Sequence, residues 1–127
     1  SVMDTAKMVA VMLTNIQYEN DLTDRTLIEK PGVPLIAIPT SSGTGSEVTP
    51  NSIMLVPDKK MKIGVVHEYF LPSQVILDPE LTETLPPSVT AATGLDAFCH
   101  CIETYISKRS SYICEMFSLE GIKLVEI

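Results

Sequence analysis

The sequence predicts a chain that is α/β at first and all-α afterwards. The continuous apolar run at residues 35–38, which ends at Pro39, is typical of a strand buried on both faces of a parallel sheet. Residues 52–56 and 61–66 read as two strands of a hairpin that turns at residues 57–60. After Pro86 the apolar period becomes helical, which predicts helices over 87–107 and 112–127. We place the boundary between the two parts near residues 79–86.

The first element is a predicted helix over residues 1–13. Ser1 can accept a hydrogen bond as the N-cap, and Asp4 sits where a negative charge favours a helix N-terminus. The apolar residues predicted to face the core are Val2, Met3, Ala6, Val9, Ala10 and Leu13. A polar loop follows over residues 14–33, and a further short strand is expected at 74–77.

Composition narrows the class of protein. The chain has 127 residues, of which 45% are hydrophobic and 20% charged, so it is long and apolar enough for one modest globular core. A net charge of −7 argues against a nucleic-acid or anionic-membrane partner. No apolar run reaches the roughly 18 residues of a membrane span. Three cysteines without disulfide-like spacing favour a reducing cytoplasm. Both ends fall inside predicted helices, so we expect a piece of a larger protein.

A loop rich in hydroxyls and glycines follows the strand at 35–38. Residues 40–49 (TSSGTGSEVT) lie at the carboxyl end of that strand, where open α/β sheets place ligands. The loop lacks the Gly-Lys-Ser/Thr of a phosphate-binding loop and the third glycine of the dinucleotide fingerprint. Its pattern alone therefore leaves both a ligand-binding loop and an ordinary surface loop open.

Asp96 and His100 stand four residues apart in the first predicted C-terminal helix. Side chains at this spacing share one helix face and can converge on a cation such as Fe(II), Zn(II) or Mn(II). The same spacing also suits a simple Asp–His hydrogen bond or a solvated face. Glu103, one turn further on, could orient His100 or be an ordinary surface charge. Gly94 costs helix stability and hints at a close approach to the backbone.

Three nearby features favour plain structural roles. Consecutive helix side chains diverge, so Cys99, His100 and Cys101 cannot share one ion, and we expect both cysteines to face the core. His67 is expected to be an exposed loop residue, and Lys62 taken by itself fits a solvated strand edge.

Four segments, in this order, resemble the iron-containing (group III) alcohol dehydrogenases. Residues 1–7 (SVMDTAK) are similar to the tail of that family's glycine-rich motif, and residues 38–49 (IPTSSGTGSEVT) to its second cofactor motif. Residues 78–86 (DPELTETLP) resemble its interdomain junction, and residues 92–103 (ATGLDAFCHCIE) its metal-binding helix. The three glycines that precede the serine in the family, its first nucleotide-domain strand and its two remaining histidine ligands are not in this chain, and His67 matches neither histidine.

The resemblance implies part of a Rossmann-like NAD(P) domain over residues 1–81. It also implies the first helices of an all-helical metal-binding domain over residues 82–127, in a dehydroquinate synthase-like architecture. The residues it implies for cofactor binding are Ser1, Thr40, Ser41, Thr44, Thr49, Asn51, Lys62 and Leu81. Asp96 and His100 would supply two of the family's four metal ligands, and no catalytic residue beyond them is implied. The implied cofactors are NAD or NADP and Fe(II), with Zn or another divalent ion as alternatives.

The resulting functional expectation concerns a parent protein. It is a metal-dependent, NAD(P)-linked alcohol dehydrogenase or aldehyde reductase that acts on a small alcohol or aldehyde and assembles as a dimer or larger homo-oligomer. Two alternatives stay open: an NAD- and metal-dependent lyase of the dehydroquinate synthase type, and a truncated domain without catalysis. We expect the isolated 127 residues to be inactive.

Overall fold

A computed structural model describes residues 1–57 and 60–125. The helices and strands, in chain order, are α1 (Val2–Met12), β1 (Ile36–Ala37), β2 (Asn51–Val56), β3 (Met61–Val66), β4 (Gln74–Val75), α2 (Pro87–Ile106) and α3 (Tyr112–Leu124). The chain forms two compact units. The α/β unit comprises Ser1–Ile38 and Ser46–Leu77, and the helical unit comprises Pro39–Gly45 and the residues from Asp78 onward.

Strand pairing in the α/β unit follows the predicted pattern. β1 and β4 pair in parallel, with Ile36 opposite Gln74 and Ala37 opposite Val75. β2 and β3 form the predicted antiparallel hairpin, with Asn51 opposite Val66. Asp58 and Lys59 of the expected turn lie outside the described residues.

β1 is covered on one face only, which corrects the expectation of a strand buried on both faces. Ala37 is buried, whereas its neighbours Ile36 and Ile38 are 54% and 47% exposed. The apolar run gave no alternation from which the covered face could be told.

Helix α1 forms because its first turn is capped. Ser1 Oγ accepts a hydrogen bond from the Asp4 amide, and the Asp4 side chain returns to the Ser1 backbone, which completes a capping box. The predicted core face is largely wrong, since Val2 is 90% and Leu13 65% exposed. The buried residues of α1 are Asp4, Lys7, Met8, Ala10 and Val11. Hydropathy misled here because two charged residues lie on the buried face.

The core of the α/β unit gathers around α1 and the hairpin. Its fully or nearly buried members are Met8, Val11, Tyr18, Ile28, Val65 and Phe70. The loop after α1 is tied down by Asn15, whose buried side chain bonds the backbone of Val11, Glu29 and Lys30. The two short 3₁₀ turns in this loop, Ile16–Asn20 and Arg25–Leu27, are therefore held against the helix.

The helical unit contains the two predicted helices. Pro87 occupies the first turn of α2, where its missing N–H costs nothing, and Ser111 caps α3 by accepting from the Cys114 amide. Helix α3 ends at Leu124, and the last two residues of the predicted span, Glu126 and Ile127, lie outside the described residues. Within the described residues, no helix combines the length and the apolarity needed to cross a membrane.

Candidate functional site

The N-terminus of α1 carries a polar network that reaches the segment before β2. Ser1 Oγ donates to Asp4 Oδ2 at 2.6 Å, and Ser46 Oγ lies 3.3 Å from Asp4 Oδ1. Ser52, fully buried at the start of the hairpin, donates its hydroxyl to the Asp4 carbonyl at 2.9 Å. Burial acts to raise the pKa of Asp4, but hydrogen bonds to its carboxylate, the strongest of them from the Ser1 side chain, outweigh it, so this pKa lies below its ordinary value.

Lys7 is the buried cation of this network, and its burial was not predicted from the sequence. Its side chain is 0% exposed, and Nζ donates to the carbonyl oxygens of Thr49 at 2.8 Å, Asn51 at 2.9 Å and Ser46. Burial lowers the pKa of Lys7, and the negative charges of Asp4 and Glu47 oppose that shift. The spacing of Asp4 and Lys7 was the available signal, but a pair one turn apart is usually a surface ion pair.

Four of the predicted cofactor residues lie in the α/β unit. Ser1 caps α1, and the backbone carbonyls of Thr49 and Asn51 meet at Lys7 on the same helix, so these three segments are brought together. Lys62 is exposed and sits opposite Leu55, four residues along β2 from Asn51. That offset is about 13 Å along a strand, so the structure does not bring Lys62 beside Asn51.

The other four predicted cofactor residues lie in the helical unit. Thr40, Ser41 and Thr44 are exposed on the loop 39–45, and Leu81, in the 3₁₀ turn Pro79–Thr82, is 41% exposed. The loop packs closely on α2 through its glycine. A Cβ added at Gly43 would lie 2.9 Å from the Thr93 carbonyl oxygen and 3.0 Å from Thr93 Cβ.

The close backbone approach therefore occurs at Gly43, and the hint read from Gly94 was wrong in the described structure. A Cβ at Gly94 would meet no described atom within 4 Å. Its neighbour Thr93 makes the contact instead, through backbone and side chain. Glycine in a helix signals a possible contact without identifying which residue makes it.

Asp96 and His100 share one face of α2, as helix geometry requires. His100 Nδ1 lies 3.9 Å from Asp96 Oδ2, and the two side chains are 52% and 43% exposed. One carboxylate oxygen and one imidazole nitrogen at this spacing fit a divalent cation of intermediate softness. Among the residues described, no group of three or more His, Cys, Asp or Glu side chains could hold a metal ion. Asp96 and His100 could therefore supply at most two ligands to such an ion.

Two minor expectations need correction. Cys99 is exposed instead of core-facing, while Cys101 is half-buried against Gly121 of α3. His67 is half-buried instead of exposed, because it caps the 3₁₀ turn Glu68–Phe70 and its Nδ1 accepts from the Tyr69 amide at 3.2 Å. Helix phase at Cys99 and a local cap at His67 decide these positions.

Comparison with known proteins gives the class to which these features belong. The family described as iron-containing alcohol dehydrogenase matches residues 1–79, and the C-terminal part of the Fe-containing alcohol dehydrogenase family matches residues 90–126. The chain belongs to the iron-containing alcohol dehydrogenase family, so the resemblance read from the four segments is confirmed.

Individual relatives share both sequence and fold with this chain. It is 42% identical over 125 residues to a sulfoacetaldehyde reductase of Bilophila wadsworthia, and 38% identical over 122 residues to an NAD-dependent methanol dehydrogenase of Bacillus methanolicus. These alignments cover 98% and 96% of this chain, and it spans about a third (32%) of each relative's length.

Two solved structures extend the comparison. An iron-containing alcohol dehydrogenase from Thermotoga maritima matches 97% of this chain with a TM-score of 0.87 at 37% identity. A sulfoacetaldehyde reductase from Bifidobacterium kashiwanohense, solved with NAD+, matches 97% with a TM-score of 0.80 at 36% identity. The chain covers 33% of each structure. An α/β region followed by helices is therefore the arrangement of this part of the family.

Proposed function

We propose that the protein carrying this chain is a metal-dependent, NAD(P)-linked alcohol dehydrogenase or aldehyde reductase. The observation that carries the proposal is the Asp96–His100 pair on one face of α2, in a chain that belongs to the iron-containing alcohol dehydrogenases. The remaining metal ligands belong to parts of the protein outside these residues. The isolated 127 residues are therefore expected to be inactive.

The residues of this chain would bind and orient the reactants. Asp96 and His100 would hold a divalent cation, which would supply Lewis acidity at the substrate oxygen, and a bound NAD(P) would supply the hydride chemistry at the substrate carbon. The N-terminus of α1, with Ser1 at its cap, offers amide donors and a positive dipole end to the cofactor pyrophosphate. The exposed hydroxyls of Thr40, Ser41 and Thr44 can hydrogen-bond the cofactor.

The other implied cofactor residues complete this assignment. Thr49, Asn51, Lys62 and Leu81 would lie beside the ribose and nicotinamide. Support for NAD comes from the name of the Bacillus methanolicus relative and from the NAD+ in the Bifidobacterium structure, and NADP stays an alternative. Fe(II) is the metal suggested by the family name, with Zn or another divalent ion equally suited to an Asp–His pair.

The proposal extends to the whole protein. Its substrate is a small alcohol or aldehyde, a class consistent with the methanol and sulfoacetaldehyde in the relatives' names. We assign residues 1–81 to a Rossmann-like NAD(P) domain and 82–127 to a helical metal-binding domain of dehydroquinate synthase-like architecture. We further propose a cytoplasmic homo-oligomer, a dimer or larger, without nucleic-acid or membrane partners; the charge of −7 supports the last point.

The decisive experiment is metal analysis and turnover of the full-length protein with Asp96→Ala and His100→Ala variants. We expect Fe(II)-dependent oxidation of NADH or NADPH by short aldehydes in the wild type, with metal content and turnover lost in both variants. Glu120→Ala is the matched control, because Glu120 is an exposed carboxylate of the same unit that pairs only with Lys123 at 3.2 Å among the bonds described.

Other outcomes would redirect the assignment. Metal binding that survives both substitutions would contradict the assignment of Asp96 and His100 as metal ligands. A reaction without net change in NADH would indicate the dehydroquinate synthase-type lyase, which returns its NAD unchanged. If the full-length protein binds neither metal nor nucleotide, the reading of a non-catalytic domain holds.

A further inference from the structure

Lys7 is a fully buried ammonium whose bonding capacity is filled by one short segment. Nζ has three N–H donors, and the carbonyls of Ser46, Thr49 and Asn51 all accept from it. A lysine charge is rarely buried completely unless it is paired or fully hydrogen-bonded. The path of residues 46–51 is therefore set by a group on α1, about forty positions earlier in the sequence.

The same network continues to the first residue of α1. Ser46 Oγ, which lies 3.2 Å from Lys7 Nζ and 3.3 Å from Asp4 Oδ1, joins the ammonium to the carboxylate, and that carboxylate accepts from Ser1 at 2.6 Å. Thr49 adds a local bond, since its Oγ1 donates to the Ser46 carbonyl at 3.4 Å. The helix end assigned to the pyrophosphate and the segment assigned to the ribose are thus joined inside one unit.

We propose that Lys7 is a positioning residue for nucleotide binding. It contacts no nucleotide itself, and it holds Thr49 and Asn51 at a fixed distance from the Ser1 end of α1. The inference rests on the proposed function, because Ser1, Thr49 and Asn51 are cofactor residues only under that assignment. A side chain without donors at position 7 would remove a hydrogen bond from each of these three carbonyls, and the segment would shift to recover hydrogen bonds with water.

The test uses the full-length protein with Lys7→Met, which keeps an unbranched side chain one heavy atom shorter and removes its donors. We expect the dissociation constant for NADH, followed by the fluorescence of NADH, to rise by about tenfold or more, since small misplacements of binding groups carry large penalties. Amide hydrogen exchange over residues 46–51 should accelerate, while metal content stays unchanged. Lys30→Met, at an exposed lysine of the same unit, should leave all three measurements unchanged.

Two further comparisons separate positioning from simple stability. Measurements are made at a temperature at which circular dichroism shows each variant folded, so a purely structural role predicts a lower Tm with unchanged NADH affinity, and that result overturns the proposal. If Lys7→Met does not fold, Ser46→Ala decides, because it removes the hydroxyl between Lys7 and Asp4 and keeps the carbonyls. We expect about a threefold weaker affinity from that loss, and unchanged affinity overturns the proposal.

Failure of the proposed function has a different signature. A wild-type protein that binds neither NAD nor NADP removes the functional assignment and the role of Lys7 together. If the wild type binds NADH and the Lys7→Met variant binds it with equal affinity, only the proposed role of Lys7 is contradicted.

Discussion

The backbone of Gly43 lies directly against Thr93, one turn of α2 before Asp96. A side chain at position 43 would come within 2.9 Å of the Thr93 carbonyl oxygen, which is closer than real Cβ atoms approach. Since Thr93 and Asp96 are fixed by the same helix, the loop with the exposed hydroxyls and the proposed metal ligand Asp96 share one rigid support within the helical unit.

Replacement of Gly43 by alanine should move this loop. We expect Gly43→Ala to lower the free energy of unfolding by about 1–3 kcal/mol through overpacking and to weaken nucleotide binding by roughly tenfold. Chemical denaturation and NADH titration measure the two effects. Gly94→Ala is the control, because the site is open and alanine favours a helix by up to about 1 kcal/mol. Unaltered NADH affinity in Gly43→Ala would show that the loop tolerates displacement.

The contact between α2 and α3 depends on a second glycine. A Cβ at Gly121 would lie 2.7 Å from Cys101 Sγ, so Gly121→Ala should cost about 1–3 kcal/mol. Removing the sulfur in a Gly121→Ala/Cys101→Ala double variant should recover much of that loss. Urea unfolding of both single variants and the double variant gives the coupling energy. Additive losses would mean that the helices shift apart without strain at the sulfur.

Asn15 should be one of the costliest polar positions to truncate. Its buried amide donates to the carbonyls of Val11 and Lys30 at 2.9 and 2.8 Å, and its oxygen accepts from the amides of Glu29 and Lys30 at 2.9 Å. Asn15→Ala removes all four of these hydrogen bonds and takes the shared acceptor from the Glu29 and Lys30 amides, so we expect a loss of about 3 kcal/mol. Asn20→Ala, at an exposed residue that donates to one carbonyl, should change stability by less than about 0.5 kcal/mol. Equal losses in the two variants would contradict the role of the buried amide.

The titration of Tyr18 should lower the free energy of unfolding in strong alkali. Burial, with a contribution from the charge of Asp21, raises the pKa of Tyr18 from 10 to about 12, and its hydroxyl donates to the Leu22 carbonyl at 2.6 Å. The unfolded chain releases this proton first, so the contribution is complete below pH 10 and is lost as pH rises toward 12. Two pKa units correspond to about 3 kcal/mol.

Tyr18→Phe isolates this titration from that of other alkaline groups. Lys7 acts in the opposite direction, because its pKa is lowered on folding and its titration adds stability as pH rises. The variant should be about 1 kcal/mol less stable at pH 8, where the hydrogen bond is missing, yet lose less than wild type between pH 10 and 12. Urea unfolding of wild type and variant at several pH values measures the difference at pH 8 and the loss between pH 10 and 12. Parallel pH profiles for the two proteins would refute the raised pKa of Tyr18.

Local signals predicted the elements well. The capping residues Ser1 and Asp4, the two strand segments on either side of the turn at 57–60 and the helical period after Pro86 are all recognisable within a few residues, and the helices and strands follow them. The spacing of Asp96 and His100 was also reliable, because a helix fixes it. The four ordered segments also identified the family, because each is a short stretch of sequence that can be recognised without knowing the tertiary structure.

Burial was predicted less well, because it depends on distant parts of the chain. The buried face of α1 contains Lys7, whose partners lie at 46–51, and no periodicity within α1 could reveal them. The single covered face of β1 depends on what packs beside it, and the apolar run could not specify that. Likewise, Gly43 could not be distinguished from Gly94 as the point of close approach, since that depends on how the loop docks on α2.

The buried face of α1, which carries Asp4 and Lys7, limits which segments can be exchanged between related proteins. A helix that packs through apolar side chains tolerates many neighbouring side chains of similar volume. Lys7 and Asp4, in contrast, require hydrogen-bonding oxygen atoms at defined positions. A chimera whose first helix lacks the equivalents of Asp4 and Lys7 should fail unless the segment from Ser46 to Ser52 is replaced together with it. A crossover point between these two segments would separate Lys7 and Asp4 from the oxygen atoms that they bond.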